Sequence, residues 1–270
     1  MSERAREVAV VTGASSGIGA ALARAIAKRG MHVALVARRA DRLEAEVAAI
    51  EATGGRASAH PCDVGDRDGV LATATVIAAT HGRIELLVNA AGHAVHALFV
   101  DHTLDAIEGM MRVNYLGTVH WIKAVLDGMR EAGGGRILNV SSFAGQLAQP
   151  DESAYSASKF AVSGLSEAIH HELEPLDIVV TCVHPVLVRT EMFDDAVLAR
   201  MPRRTRDSFI EADTFAAEAL RALDRCEAIA TIPRRYGFVP RLKALFPKRM
   251  GRKIAQVKLE GLPDAPGRTR

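Results

Sequence analysis

The chain has 270 residues, of which 49% are apolar and 24% charged, and its formal net charge is +2, an ordinary globular balance that argues against nucleic acid as a partner. The three cysteines, Cys62, Cys182 and Cys226, are far apart and odd in number, which fits neither a disulfide framework nor a metal site. No stretch approaches the ~20 apolar residues of a membrane span, and the charged start Met1-Ser2-Glu3-Arg4 lacks the apolar run of a secretory signal, so the cytoplasm is the expected compartment.

Short β-branched runs alternate with longer Ala-rich stretches. A strand is predicted over Glu7–Thr12, then a helix from about Ile18 to Arg29 that Gly30 ends as a C-cap. His32–Ala37 reads as a second strand, with a charged helix starting near Ala40 and a short third strand over Arg56–His60. Asp66–Thr80 has a helical pattern, and Ile84–Asn89 is a fourth strand. One long helix is predicted from about Leu104 to Glu131, closed by Gly133-Gly134-Gly135. Arg136–Val140, Ser153–Glu174 and Ile178–Val183 then read as strand, helix and strand. Strands apolar on both faces, alternating with helices, imply a parallel sheet covered on both sides, with right-handed crossovers. There is no internal repeat or low-complexity linker. Residues 1–270 are therefore expected to form one α/β domain, Rossmann-like and doubly wound, with about seven strands.

The pattern weakens after Pro185. Residues 188–213 mix Met, Phe, Arg and Asp without a clean period, as expected of a lid over a substrate site. A short helix (Thr214–Arg225) and a strand (Ala228–Ile232) follow. Residues 234–270 form a basic amphipathic extension, in which Pro240 and Pro247 break any long helix into pieces. Packing against the body, a partner subunit or the substrate mouth is favoured over contact with an anionic membrane surface.

Three groups of residues carry chemistry. The first strand runs into Thr12-Gly13-Ala14-Ser15-Ser16-Gly17-Ile18-Gly19, a glycine-rich turn entering a helix. Glycine lets backbone approach a pyrophosphate, and the helix start offers free N–H groups and a positive dipole end. The second strand ends at Ala37 without an acid and is followed by Arg38-Arg39. An acid there would bind ribose hydroxyls, whereas arginine suits a 2′-phosphate, so NADP(H) is favoured over NAD(H), with Arg38 the stronger candidate. Tyr155 and Lys159 lie four apart on one helix face. A phenol ordinarily titrates near ~10, and a neighbouring ammonium should lower that value and make Tyr155 a general acid/base.

In order along the chain, these motifs resemble those of the short-chain dehydrogenase/reductase family, over roughly Val8 to Met192. Thr12–Gly19 is similar to its TGxxxGxG loop, Asp63-Val64 to its adenine-contacting pair, and Asn89-Ala90-Ala91-Gly92 to its NNAG-type motif. Asn114 matches the asparagine of its long helix. Ser142 stands thirteen residues before Tyr155, as in the family, although Ser141 is adjacent. Tyr155 and Lys159 form its YxxxK, and Pro185 to Thr190 resembles its PGxxxT segment, with Val186 in place of the glycine. The resemblance implies cofactor contacts from Gly13, Ser15, Ser16, Gly17, Ile18, Gly19, Asp63, Val64, Asn89, Ala90, Ala91, Gly92, Tyr155, Lys159, Pro185, Val188 and Thr190. It also implies hydride transfer to or from a carbonyl or alcohol, with Tyr155 as acid/base, Lys159 lowering its pKa, Ser142 binding the substrate oxygen and Asn114 holding a relay water. A homodimer or homotetramer is expected. Phe99, Phe143, Leu147, Met192, Phe193 and Val197 are candidates for an apolar pocket suited to a lipid, steroid, retinoid or aromatic substrate. The alternative is a non-catalytic NADP(H) sensor on the same fold.

Overall fold

The computed structural model describes residues 7–192, 198, 201 and 203–259. Phe193, Val197, much of the expected lid and the last part of the basic extension lie outside the described residues. Seven parallel strands form one sheet in the order β3-β2-β1-β4-β5-β6-β7. They are β1 (Val8–Thr12), β2 (His32–Ala37), β3 (Arg56–Pro61), β4 (Ile84–Asn89), β5 (Gly135–Val140), β6 (Ile178–Pro185) and β7 (Ile229–Ile232).

Each strand buries alternate side chains on opposite faces. In β1, Ala9 and Val11 join one core with Leu22, Ile26, Leu35, Phe215 and Leu220. Val8 and Val10 join the other with Val70, Ile77, Trp121, Met129 and Ile137. The first core is covered by α1 (Gly17–Ala27), α2 (Ala40–Glu51) and α7 (Ala212–Asp224). The second is covered by α3 (Arg67–His81), α5 (Gly117–Glu131) and α6 (Ser153–Leu173). Every residue of β1 is buried, which explains its unbroken apolar run. The strand order reverses direction between β1 and β4. In such a sheet, ligands bind outside the carboxyl ends of the strands at that point.

The long helix expected over Leu104–Glu131 is interrupted. It consists of α4 (Leu104–Met110), a π-helical turn over Met111–Leu116, and α5. The π turn adds a residue to the hydrogen-bonded ring, and such turns gather at functional sites. The turn carries Asn114, which is fully buried. After β7 come α8 (Val239–Leu245) and α9 (Pro247–Leu259). Pro240 and Pro247 each stand in a first helical turn, where a missing N–H costs nothing, and the region is divided into two short helices as expected.

Candidate active site

A cavity of about 480 Å³ opens at the carboxyl ends of the strands, around the switch point. The turn after β1 forms its floor. Gly13 has φ +67°, and a Cβ there would lie 2.8 Å from the backbone of Ala90 and Ala91. A Cβ on Gly19 would strike the Gly13 carbonyl. Only glycine allows the turn to fold this closely under β4 and α1. The Thr12 hydroxyl accepts from the Ala90 and Ala91 N–H groups, both at 3.1 Å, and so ties the ends of β1 and β4 together. The first turn of α1 has no acidic residue, and Ser16 makes no side-chain cap, so its N–H groups are left for an anion.

Gly13, Ser15, Ser16, Gly17, Ile18, Gly19, Arg38, Arg39, Asp63, Val64, Ala90, Ala91, Gly92, Ser142, Tyr155, Lys159, Pro185, Val188 and Thr190 all line this one cavity. Asn89 does not. It is buried behind the wall, where its Nδ2 donates to Asn139 Oδ1 at 2.9 Å. Asn114 also stands behind the wall. Its Oδ1 accepts from His93 N at 3.0 Å, while Nδ2 donates to His93 O at 3.0 Å and to Ser158 Oγ at 2.9 Å. The π turn thus clamps the loop after β4 onto α6. His93, Ser141 and Val186 also line the cavity, as do Cys62 and Glu191, which sequence reasoning did not single out for it. Cys62 directly follows the end of β3. Glu191 has no local signal at all.

The two arginines differ. Arg39 donates to Ser15 Oγ at 2.9 Å and to Ser16 Oγ at 3.1 Å, bracing the glycine loop. Arg38 is exposed on the cavity wall and has no ion pair or hydrogen bond among the described residues. Glu191, beyond β6, pairs with Arg42 at 2.7 Å and lies 3.9 Å from Arg39, so the start of the expected lid is strapped to α2. That excursion leaves and returns through one stem, because Val188 bridges Ile210 and Arg189 N donates to Ile210 O at 2.9 Å.

The adjacent serines are divided by their partners. Ser141 Oγ donates to Lys159 O at 2.9 Å and sits 2.9 Å from Ser163 Oγ. Ser142 caps the short turn over Phe143–Gly145, its Oγ accepting from Ala144 N at 3.1 Å, and lies close enough to Tyr155 to pull on its phenol. Lys159 Nζ donates to Val140 O at 3.0 Å and lies 5.9 Å from the centre of the Tyr155 ring.

Burial governs the titration of this pair. It pushes the Tyr155 phenol up to about 12, against a downward pull from Ser142 and with a further upward push from Glu152. It pulls Lys159 down to about 8. The lowering of Tyr155 by Lys159 that the sequence suggested is not what these surroundings produce. The cost of burying a phenolate dominates, and the ammonium is engaged by a backbone carbonyl. His93 is likewise held below its usual range, by burial first and then by Arg38 and Lys159, and is neutral at pH 7.

Among the described residues, most of those expected to form an apolar pocket do not line the cavity. Phe99 is 71% exposed, while Phe143 and Leu147 are buried away from the cavity. Of that group, only Met192 lines it among the described residues. Among those residues, no cluster of three or more His, Cys, Asp or Glu side chains could hold a metal ion.

Comparison with known proteins places this geometry. The chain is 38% identical over 208 residues to an uncharacterized oxidoreductase of Mycobacterium tuberculosis, a match covering 74% of this chain and 61% of that protein. It is 40% identical over 186 residues to the D-threitol dehydrogenase of Mycolicibacterium smegmatis, covering 69% of this chain and 72% of the relative. To the fatty acyl-CoA reductase of Acinetobacter baylyi it is 41% identical over 191 residues, covering 69% and 64% respectively. With the short chain dehydrogenase model matching residues 7–200, the chain belongs to the short-chain dehydrogenase family.

Proposed function

We propose that this protein is an oxidoreductase that moves a hydride between NADP(H) and a carbonyl or alcohol carbon, with Tyr155 as the acid/base. The observation that carries the reading is the convergence of Ser142, Tyr155 and Lys159 in the same cavity as the glycine turn and Arg38, which has no ion pair among the described residues. The glycine turn and the start of α1 would hold the pyrophosphate, Asp63 and Val64 the adenine, and Arg38 a 2′-phosphate. Ala90, Ala91, Gly92, Pro185, Val188 and Thr190 would hold the rest of the dinucleotide, which supplies or takes up the hydride when bound.

In reduction, Tyr155 gives its proton to the substrate oxygen as that oxygen becomes an alkoxide. With its pKa raised to about 12, the phenol is fully protonated at pH 7, and an alkoxide is more basic still. Ser142 hydrogen-bonds the same oxygen and stabilises its charge. The phenolate then recovers a proton from Lys159, whose pKa of about 8 makes it an effective donor near neutrality. Asn114, by fixing His93 and Ser158, would organise the path from Lys159 to solvent.

The relatives named for a polyol and for a fatty acyl thioester differ widely in polarity. Ala94, Val113, Val186 and Met192 add apolar surface to the cavity, which favours a lipid, steroid, retinoid or aromatic substrate. Leu116 and Phe160 are 42% and 40% exposed on the helical segments around α5 and α6, which supports a homodimer or homotetramer through that face. An NADPH oxidation screen across apolar ketones, aldehydes and quinones, run beside NADH, tests the assignment. Turnover faster with NADPH is expected. Tight NADPH binding with no turnover across the panel would instead make the protein a nucleotide sensor.

A further inference from the structure

After β7 the chain leaves the sheet as two short helices joined at Phe246. From Arg234 to Leu259 there is no acidic residue. Arg234, Arg235, Arg241 and Lys243 precede Pro247, and five more basic residues follow it. Lys248, Arg249, Arg252 and Lys253 face solvent without an ion-pair partner among the described residues. Large apolar side chains are exposed among these charges, with Phe238 at 60%, Leu245 at 73% and Phe246 at 49%. Phe238 caps α8 and Leu245 ends it, seven positions or two helical turns apart, which puts both on one side of that helix.

Other contacts of this region anchor it to the body. Lys243 Nζ donates to Gln146 O at 3.4 Å and lies 5.5 Å from the centre of the Phe160 ring. The Tyr236 ring packs edge-on against Phe143 at 6.3 Å. Phe143 and Gln146 follow Ser142 on the same turn, so the basic helices are fixed beside the proposed reaction centre.

We infer that residues 234–256 form a docking surface for an anionic bilayer, from which an apolar substrate reaches the cavity. Cations interleaved with exposed Phe and Leu are what the headgroup–acyl boundary of an anionic membrane binds. A second copy meeting this face across a two-fold axis would bring like charges together. Nucleic acid would satisfy the cations and leave Phe238, Leu245 and Phe246 in water. No helix among the described residues is long and apolar enough to cross a membrane, so the surface lies on the bilayer. The delivery step rests on the proposed carbonyl chemistry, whereas the binding step does not.

The test is co-sedimentation of the full chain with mixed phosphatidylcholine–phosphatidylglycerol vesicles and with phosphatidylcholine alone. Binding to the anionic vesicles only is expected, falling at least about tenfold between roughly 0.05 and 0.5 M salt. Arg249→Glu combined with Arg252→Glu and Lys253→Glu should abolish it while NADPH binding, read by fluorescence, stays intact. Leu245→Ala with Phe246→Ala should weaken it and slow turnover of a vesicle-borne ketone, but not of a water-soluble one. No binding at low salt, unchanged binding by the charge-reversed variant, or capture by DNA in preference to vesicles would each overturn the inference. Vesicle binding is measured without substrate, so its failure beside intact NADPH turnover refutes the docking surface alone. Vesicle binding without any carbonyl turnover refutes the catalytic reading alone.

Discussion

Tyr155 is 8% exposed, and Lys159, one helical turn later, is 5% exposed. The same loss of water acts on them in opposite senses, keeping the phenol protonated and loosening the ammonium's proton. In the proposed mechanism this gives the pair a direction, from Lys159 to Tyr155 to substrate, and it carries a pH signature. If Lys159 must be protonated to restore Tyr155, kcat for reduction holds below pH 8 and falls as pH rises through Lys159's pKa of about 8. A pH–rate profile checks this, and a rate flat to about pH 10, the ordinary lysine range, would contradict it. Arg38 makes a second prediction at this scale. A hydrogen bond to a charged group contributes about 1.5–3 kcal/mol, so Arg38→Ala should weaken NADPH by roughly 10- to 100-fold. NADH, lacking the 2′-phosphate, should change little in the same titration, and equal losses for both would remove Arg38 from the phosphate site.

The glycine turn between β1 and α1 is the element on which the cavity rests. Gly13→Ala places a Cβ at φ +67° and 2.8 Å from the backbone of Ala90 and Ala91. The backbone conformation alone costs about 1–3 kcal/mol, and each kcal/mol lowers Tm by about 2–4 °C in a domain near this size. A thermal melt should therefore drop by several degrees and NADPH binding should be lost; an unchanged melt would mean the turn relaxes freely. This element was legible in the sequence because its glycines answer a local demand. The strands were legible for a related reason, since burial on both faces leaves them no polar position, and their ends fall within a residue or two of expectation. The π turn at Asn114 was not legible. The apolar spacing from Leu104 to Glu131 continues through it, and the extra residue is fixed by hydrogen bonds to His93 and Ser158, which are distant in sequence. The same holds for Glu191, whose partner Arg42 lies 149 residues away. Phe99 was misplaced because exposure cannot be read from residue type in an irregular loop.

At the scale of the whole molecule, the histidines set the acid limit of the fold. His184 is 1% exposed beside Ser163 and Lys159, and burial followed by the Lys159 charge pulls its pKa down to about 4. His60 and His81 are also lowered by burial. A histidine whose folded pKa lies below its unfolded value contributes stability that is complete above pH 6.5 and lost as pH falls toward the folded pKa. For His184 that window runs from 6.5 to about 4 and is worth on the order of ~3 kcal/mol. Thermal melts should show the protein losing stability across this range, and His184→Asn should lose less; equal losses in both would assign the acid sensitivity elsewhere. The sheet, its two covered faces and the clamped loops together hold one phenol, one hydroxyl and one ammonium in the same cavity as the glycine turn. The most direct test is the rate of NADPH oxidation by Tyr155→Phe with a carbonyl that the unaltered protein reduces, beside its NADPH affinity. Turnover should fall by at least about 100-fold, the lower bound for losing a general acid, with affinity nearly unchanged. A variant that keeps most of its activity would show that Tyr155 is not the proton donor.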